Sequence, residues 1–451
     1  MMMTLAEAAA AMGGRLIGKD AEFDSVSTDS RNISPGQLFI ALRGEKYDAA
    51  RFAAGTLEKG AAGVVVNHYG APELSSSIVV EDTRIALGKL ASHWRDKYSI
   101  PVAAITGSNG KTTVKEMLAA ILRAETGSAD TVLATEGNLN NDIGCPLTML
   151  KLRPQHRYAV LEMGMNHFGE LAYLTRLARP DVALVNNAQS AHVGILGSVD
   201  AIAKAKGEIF QGLNSSGTAV INADDPHADV WRGMNTSRPI VGFGFSEHAQ
   251  VRGVVSPDET GQKLQIHTSK GELDVHLQVH GEHNARNALG AAACALTMGA
   301  SLESIKQGLA GFTGVKGRLQ SKPGLHGALF IDDSYNANPD SVKAAISVLI
   351  RHPGKKILVL GDMGELGDAS ATLHAQVGLE ARQAGVDRLL ALGELSKSAA
   401  LAFGAGALHY ERIQELLADL ENELAPDVTV LVKGSRSMKM ERVVDSFVGE
   451  H

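Results

Sequence analysis

Runs of three to six mostly apolar residues recur between amphipathic stretches, and the two patterns predict two kinds of element. The runs at 37–42, 62–66, 102–105, 159–161, 182–185 and 219–221 read as strands buried on both faces. Between them, 85–98, 112–123 and 198–213 carry the spacing of helices with one buried face. Strand and helix in alternation predict parallel sheets covered on both sides. After Gly314 the cycle restarts, with strands at 328–332, 356–360, 388–392 and 428–432. Residues 274–279 alternate apolar with polar, the mark of a half-exposed strand near a domain edge. New patterns begin near Asp82 and after Gly314, so the expected class is α/β with three domains, 1–83, 84–313 and 314–451. No period of 20–50 residues recurs, which excludes a solenoid.

Composition narrows the partners. The chain has 451 residues, 44% hydrophobic and 21% charged, ordinary for several packed domains. Its 43 basic and 50 acidic residues leave a net charge of −7 with no basic patch, so neither nucleic acid nor anionic lipid is an expected partner. The first residues are apolar but have no basic residue before Arg15, unlike a signal peptide. The longest weakly polar run, 288–300, is too short to span a bilayer, so no membrane insertion is expected. Cys145 and Cys294 cannot staple a chain of this size, which fits a reducing, cytoplasmic compartment. The 48 glycines and only 4% aromatic residues favour the tight backbone turns of nucleotide-handling α/β proteins.

The clearest chemistry follows the strand at 102–105. Thr106-Gly107-Ser108-Asn109-Gly110-Lys111-Thr112-Thr113 runs directly into a helix, and strand, glycine loop and helix together form a phosphate-binding context. Gly107 and Gly110 let successive N–H groups face an anion, Lys111 neutralises phosphate charge, and Thr112 can ligate magnesium. Ile105 stands where the longer consensus has its first glycine, so the loop is a shortened version. No Asn-Lys-x-Asp guanine reader is present, and a motor's subunit interfaces are not visible in sequence.

Further candidates are weaker on their own. Glu162 ends the strand at 159–161, where a carboxylate either holds Mg²⁺ or caps a turn. His192 lies in a loop after another strand. Lys206 sits on a predicted helix, where a lysine ordinarily faces solvent. Asn138, Asn140 and Asn141 suit either a turn or contact with a sugar or peptide. His276 and His280 share the polar face of an alternating strand with no cysteine or acid cluster beside them, which excludes a zinc site there.

Taken in order, the loop at 106–113, Glu162-Met163-Gly164, His192 leading to Ala205-Lys206-Gly207-Glu208, Gly281-Glu282-His283-Asn284-Ala285-Arg286-Asn287-Ala288, Gly317-Arg318 and Asp332-Asp333-Ser334-Tyr335-Asn336-Ala337-Asn338-Pro339 resemble the muramyl-peptide amide ligases. The likeness covers nearly the whole chain and extends more distantly to folylpolyglutamate synthases. Within the family, residues 333–339 and Lys433-Gly434-Ser435-Arg436-Ser437-Met438-Lys439 look like the branch that adds D-alanyl-D-alanine to UDP-N-acetylmuramoyl-tripeptide, and the Asp-Asn-Pro-Arg signature of diaminopimelate-adding siblings is absent.

The resemblance implies a small N-terminal α/β domain for the UDP-sugar, a central parallel-sheet ATPase domain with the P-loop, and a Rossmann-like C-terminal domain that binds the dipeptide and closes on ATP. It implies ATP, two Mg²⁺ ions, the two peptide substrates and a monomer. Gly107, Ser108, Asn109, Gly110, Lys111, Thr112 and Thr113 would hold the phosphates, with Arg318 beside them. Asn284 and Asn287 would meet the adenine, and Asp333 the ribose. Thr112, Glu162, His192 and a carbamylated Lys206 would ligate metal, with Lys111, His192 and Lys206 catalytic. Ser27, Asp29, Ser30 and Arg31, with Asn138, Asn140 and Asn141, would bind the UDP-substrate. Tyr335, Asn336 and Asn338 complete the substrate contacts. The alternatives are a sibling amide ligase or a nucleotide-binding scaffold without catalysis.

Overall fold

The computed structural model describes residues 1–44, 47–68, 74–191, 193–258 and 261–449. Three sheets carry it. The first has the order Arg15–Gly18, Ser76–Val80, Gly63–Asn67, Gln37–Ile40, Ser25–Ser27, antiparallel only at its Arg15–Gly18 edge.

The central sheet has nine strands. Val132–Ala134, Tyr158–Glu162, Val102–Thr106, Val182–Val185, Thr218–Asn222, Ile240–Gly244 and Val251–Asp258 are parallel, and Gly261–Thr268 and Gly271–Leu277 extend it antiparallel. The half-exposed edge strand expected from the alternation at 274–279 is the outermost of these. Along Val102–Thr106 the side chains alternate, as the pleat requires. Val102 and Ala104 join one core with Leu87, Leu90, Leu161 and Trp231, and Ala103 and Ile105 join the other with Val114, Leu118, Ala288 and Ala292. Small residues on the helix Glu282–Thr297 let it press against the sheet: a side chain at Gly290 would stand 3.1 Å from Phe243 and 3.2 Å from Leu184.

The third sheet has the order Gln320–Pro323, Leu329–Asp333, Val428–Lys433, Lys355–Gly361, Arg388–Leu392, Ala407–Tyr410, parallel except at its first pair. Alternate residues again serve two cores, Leu358 and Leu360 on one face and Ile357 and Val359 on the other.

Two local features depart from the sequence pattern. The helix expected at 198–213 is an α-helix only over Val199–Gly207, then tightens into a 3-10 turn, Glu208–Gly212. The first sheet also shares its core with the central one. One cluster runs from Leu38, Ile40 and Val65 through Leu87 and Leu90 to Val102 and Ala104. The link is the helix Thr83–Asp96, whose start is set by Asp82 accepting from the N–H groups of Arg84 and Ile85.

Candidate active site

The strand Val102–Thr106 lies where the connections leave to opposite sides, toward Tyr158–Glu162 on one flank and Val182–Val185 on the other. A crevice forms outside the carboxyl ends of strands at such a point. Here it is a cavity of about 930 Å³, walled by the central domain and closed over by the third.

The loop after Val102–Thr106 is held by a lattice of amides. Gly110 has φ +79°, and a side chain there would meet Asn287 Oδ1 and stand 2.5 Å from Asn186 Nδ2, so both conformation and space demand glycine. Asn186 Nδ2 donates to Asn109 O and to Asn287 Oδ1, both at 2.9 Å. Asn187 Oδ1 accepts from Asn109 N at 2.9 Å, and Ser108 N donates to Asn187 O at 3.0 Å. Lys111 opens the helix Lys111–Thr126 and folds its ammonium back onto Gly107 O at 2.7 Å and Ser108 O at 3.3 Å. Burial lowers its pKa, and the charge of Glu162 opposes that shift. Ser108, Asn109, Gly110, Lys111 and Thr113 line the cavity. Thr112 lies just behind, its hydroxyl accepting from Arg318 Nη2 at 3.1 Å.

Glu162 is buried at the end of its strand. Its Oε1 accepts from Asn140 Nδ2 at 2.8 Å, whereas Oε2 has no hydrogen-bond partner among the described residues. A buried carboxylate oxygen left unpaired is costly in an apo protein and is satisfied by a hard cation, so the chemistry here fits Mg²⁺. Asn138, Asn140 and Asn141 line the same wall. Asn141 also does the turn's work, its Oδ1 accepting from Gly144 N at 2.8 Å and Ile143 N at 3.2 Å.

Lys206 overturns the solvent-facing expectation. It is 1% exposed, buried as its helix packs against Trp231, whose Nε1 donates to Ala203 O at 2.9 Å. It has no hydrogen-bond or ion-pair partner among the described residues. Burial, and then the charge of Lys111, push its ammonium well below the ordinary lysine range. Desolvation of this kind favours the neutral amine over the ammonium.

The third domain supplies the opposite wall. Arg318 stacks over Tyr335 with its guanidinium carbon 4.4 Å from the ring centroid. Asp333 pairs with Lys433 Nζ, which also donates to Asn336 O at 2.9 Å; burial raises the Asp333 carboxyl against the pull of Lys433. Asn338 caps the helix Pro339–Leu349 and reaches Asn109 Oδ1 at 2.8 Å. Asn284 donates to His280 O at 2.8 Å, so its amide and that of Asn287 are partly engaged within the wall.

Several expected site residues fall elsewhere, Gly107 and the buried Lys206 among them, neither of which lines the cavity. Ser27, Asp29, Ser30 and Arg31 do not line the cavity. Ser27 ends the strand Ser25–Ser27, and Asp29, Ser30 and Arg31 follow in a turn in which the exposed Arg31 pairs with the half-buried Asp29 at 2.8 Å and lowers its pKa to about 2. His192 lies outside the described residues.

The cavity also contains residues the sequence reading passed over. Asn222, Asp224, Asp225 and His227 stand at the end of Thr218–Asn222, the same position that singled out Glu162, so strand-end polarity was a usable signal. Asp225 Oδ2 accepts from Ala188 N at 3.0 Å and thereby holds the loop that carries Asn186 and Asn187. Glu365 had no sequence signal at all.

Three family models match in chain order: "Mur ligase family, catalytic domain" over residues 22–95, "Mur ligase middle domain" over 105–295 and "Mur ligase, glutamate ligase domain" over 317–436. The UDP-N-acetylmuramoyl-tripeptide--D-alanyl-D-alanine ligase of Escherichia coli (strain K12) is 43% identical over 448 residues, spanning 98% of this chain and 97% of that protein. Among solved structures, MurF from Acinetobacter baumannii superposes with a TM-score of 0.90 at 36% identity, covering 98% of this chain and 97% of that one. MurF ligase from Thermotoga maritima, in complex with ADP, superposes with a TM-score of 0.84 at 27% identity, covering 93% and 96%. Identity of this extent, over a fold and a nucleotide loop already in register, shows that the chain belongs to the Mur ligase family.

Proposed function

We propose that the protein is an ATP-dependent, ADP-forming amide ligase that joins D-alanyl-D-alanine to UDP-N-acetylmuramoyl-tripeptide in the cytoplasm. The observation that carries this reading is the pairing of Lys111, folded onto the phosphate loop, with Glu162, whose buried Oε2 is unpartnered among the described residues. The names of the relatives support the choice of substrates, and the ADP complex of the Thermotoga maritima protein supports ATP as the energy source.

A carboxylate does not condense with an amine in water at a useful rate, because its oxygen is a poor leaving group. In this reading the tripeptide's terminal carboxylate attacks the γ-phosphorus, giving an acyl phosphate and ADP. The dipeptide amine then attacks the acyl carbon and expels phosphate. Lys111 and the loop N–H groups hold the phosphates, with Arg318 approaching from the third domain. Thr112 and Glu162 are positioned to hold Mg²⁺, with a carbamylated Lys206 and His192 as further ligands. Bound there, Mg²⁺ would supply charge neutralisation at the phosphates and polarisation of the reacting oxygens. An ammonium at Lys206 would repel the ion, whereas a carbamate would bind it, and the burial that lowers the Lys206 pKa favours the neutral amine that carbamate formation requires. Asn284, Asn287 and Asp333 serve the nucleoside. Asn138, Asn140 and Asn141 face the muramoyl peptide, and the turn Ser27, Asp29, Ser30 and Arg31 receives the uridine end outside the cavity. Tyr335, Asn336 and Asn338 contact the dipeptide side.

We assign the domains as 1–83, 84–313 and 314–451, acting as a monomer. The third closes on the second through Asn338 to Asn109, Arg318 to Thr112, and Asp340 Oδ2 accepting from Ser190 N at 2.9 Å. Closure excludes water from the acyl phosphate. Among the described residues no helix is long and apolar enough to cross a membrane.

The test is ADP release with all three substrates, each omitted in turn, together with ¹⁸O in the tripeptide's terminal carboxylate. Label is expected in the liberated phosphate. Turnover with no label in phosphate would rule out the acyl phosphate.

A further inference from the structure

Where the helix Thr83–Asp96 reaches the cleft, the wall carries charges that the phosphate chemistry does not use. Arg84, in the first turn of that helix, pairs sideways with Asp142: Nη2 donates to Asp142 Oδ1 at 2.7 Å, and Nε pairs with Asp142 Oδ2. That spends one edge of the guanidinium. Nη1 has no hydrogen-bond partner among the described residues, so the edge formed by Nη1 and the second Nη2 hydrogen stays open, and that edge matches a carboxylate. Arg84 and Asp142 both line the cavity and are partly exposed to it. Glu170, the first residue of the helix Glu170–Ala178, lines it too, and its charge and that of Asp82 are felt at Arg84.

This group lies within reach of the reacting end. Asp142 is two residues from Asn140, whose amide donates to Glu162 Oε1 at 2.8 Å. Two residues span at most about 7 Å, so with its side chains the pair stands on the order of 10 Å from Glu162. Leu174, one helical turn beyond Glu170, also lines the cavity, as does Met165, and they give the charges an apolar approach.

The net sign of the group selects its ligand. Asp82, Asp142 and Glu170 outweigh the single Arg84, so a diphosphate or a lone carboxylate is repelled and an ammonium is drawn in. UDP-N-acetylmuramoyl-tripeptide is anionic at its diphosphate and its carboxylates, and its one cation is the amine on the third side chain, where that residue is lysine or diaminopimelate. The third residue also carries the reacting carboxylate. From its α-carbon, five extended bonds reach roughly 6 Å, and a contact of about 3 Å covers what remains. A lysine amine would leave the open edge of Arg84 unmatched. Resting on the ligase reading above, we propose that Arg84, Asp142 and Glu170 receive the third side chain of the donor peptide, the two acids taking its ammonium and Arg84 a carboxylate on the same carbon. The site is then built for an amino-acid head, as in diaminopimelate, and discriminates against a lone amine, as in lysine.

The experiment compares donors whose third residue is diaminopimelate, lysine or norleucine, by ADP release with ATP and D-alanyl-D-alanine. Wild type should use diaminopimelate better than lysine by tenfold to about a hundredfold in kcat/KM, the range of one charge-assisted hydrogen bond, and lysine better than norleucine. Arg84→Met should bring the ratio of diaminopimelate to lysine near one, and Arg84→Lys should restore part of it. Asp142→Asn should lower the ratio of lysine to norleucine. The KM values for ATP and D-alanyl-D-alanine should move less than threefold in each variant. Each ratio is taken within one protein, so a smaller folded fraction cancels. Equal or reversed use of diaminopimelate and lysine by wild type, equal use of lysine and norleucine, or an unchanged ratio in Arg84→Met would overturn the proposal. So would a uniform loss across all three donors, the mark of a purely structural ion pair. A wild-type protein that releases no ADP with any of the three donors would instead overturn the ligase reading on which the proposal rests.

Discussion

Replacing Gly110 by alanine tests the phosphate loop by adding one carbon. At φ +79° an L-residue costs about 1–2 kcal/mol. The methyl group also meets Asn287 Oδ1 and Asn186 Nδ2, the two atoms joined by a 2.9 Å hydrogen bond. Separating them forfeits about 1 kcal/mol for that bond and as much again for the link from Asn186 to Asn109 O. The total is roughly 3–4 kcal/mol, borne by the segment that must cradle phosphate, so the Kd for ATP should rise about 150-fold or more. Isothermal titration of nucleotide into Gly110→Ala, Asn287→Ala and the double variant measures this. Removing the Asn287 amide removes one clash but not the backbone strain, so the double variant should lose clearly less than the two single losses added together. ATP binding by Gly110→Ala within threefold of wild type, or strict additivity in the double variant, would refute the account of why glycine stands there.

Three further outcomes concern Glu162 and His283, which line the cleft, and the buried Lys206. Glu162→Gln keeps an oxygen to accept from Asn140 but replaces a charged carboxylate oxygen with an amide nitrogen. It should fold normally and lose at least a hundredfold in activity with a raised requirement for Mg²⁺; activity near wild type at ordinary Mg²⁺ would count against metal binding there. Lys206→Ala should retain its fold, lose activity and recover part of it with added short carboxylates, and full activity without them would dismiss the carbamate. His283 has its pKa lowered to about 4 by burial, so between pH 6.5 and 4 the folded state binds fewer protons than the unfolded one. Its contribution is intact above pH 6.5 and is lost as pH falls, by up to about 3 kcal/mol. Urea midpoints of wild type and His283→Asn should converge between pH 7.5 and 4.5, and parallel pH profiles would contradict this.

Local chemistry is what the sequence by itself determined. Strand, glycine loop and helix at 102–126 are neighbours in the chain, so apolar run, Gly110, Lys111 and the amphipathic period could be read together, and the acid ending Tyr158–Glu162 was visible for the same reason. Three α/β units and the edge strand were equally legible, because burial on one face or two leaves its period in the residues.

Distance along the chain is where that legibility ends. Lys206 has the sequence pattern of a surface lysine, and only the packing of its helix against Trp231 strips it of water. Asn287 reaches the loop through Asn186, 101 positions away, and no local pattern encodes that bond. The first sheet looked self-contained, yet Leu38 and Val65 share one core with Val102, since the helix between them buries faces toward both. Glu365 is one more exposed acid in sequence. Its backbone strain, at φ +62°, and its place in the cleft exist only because Ser435, His374 and Gly194, from three separate parts of the chain, converge on its loop. Periodicity records which face of an element is buried, whereas desolvation, charge pairing and strain arise from what the fold brings against that face.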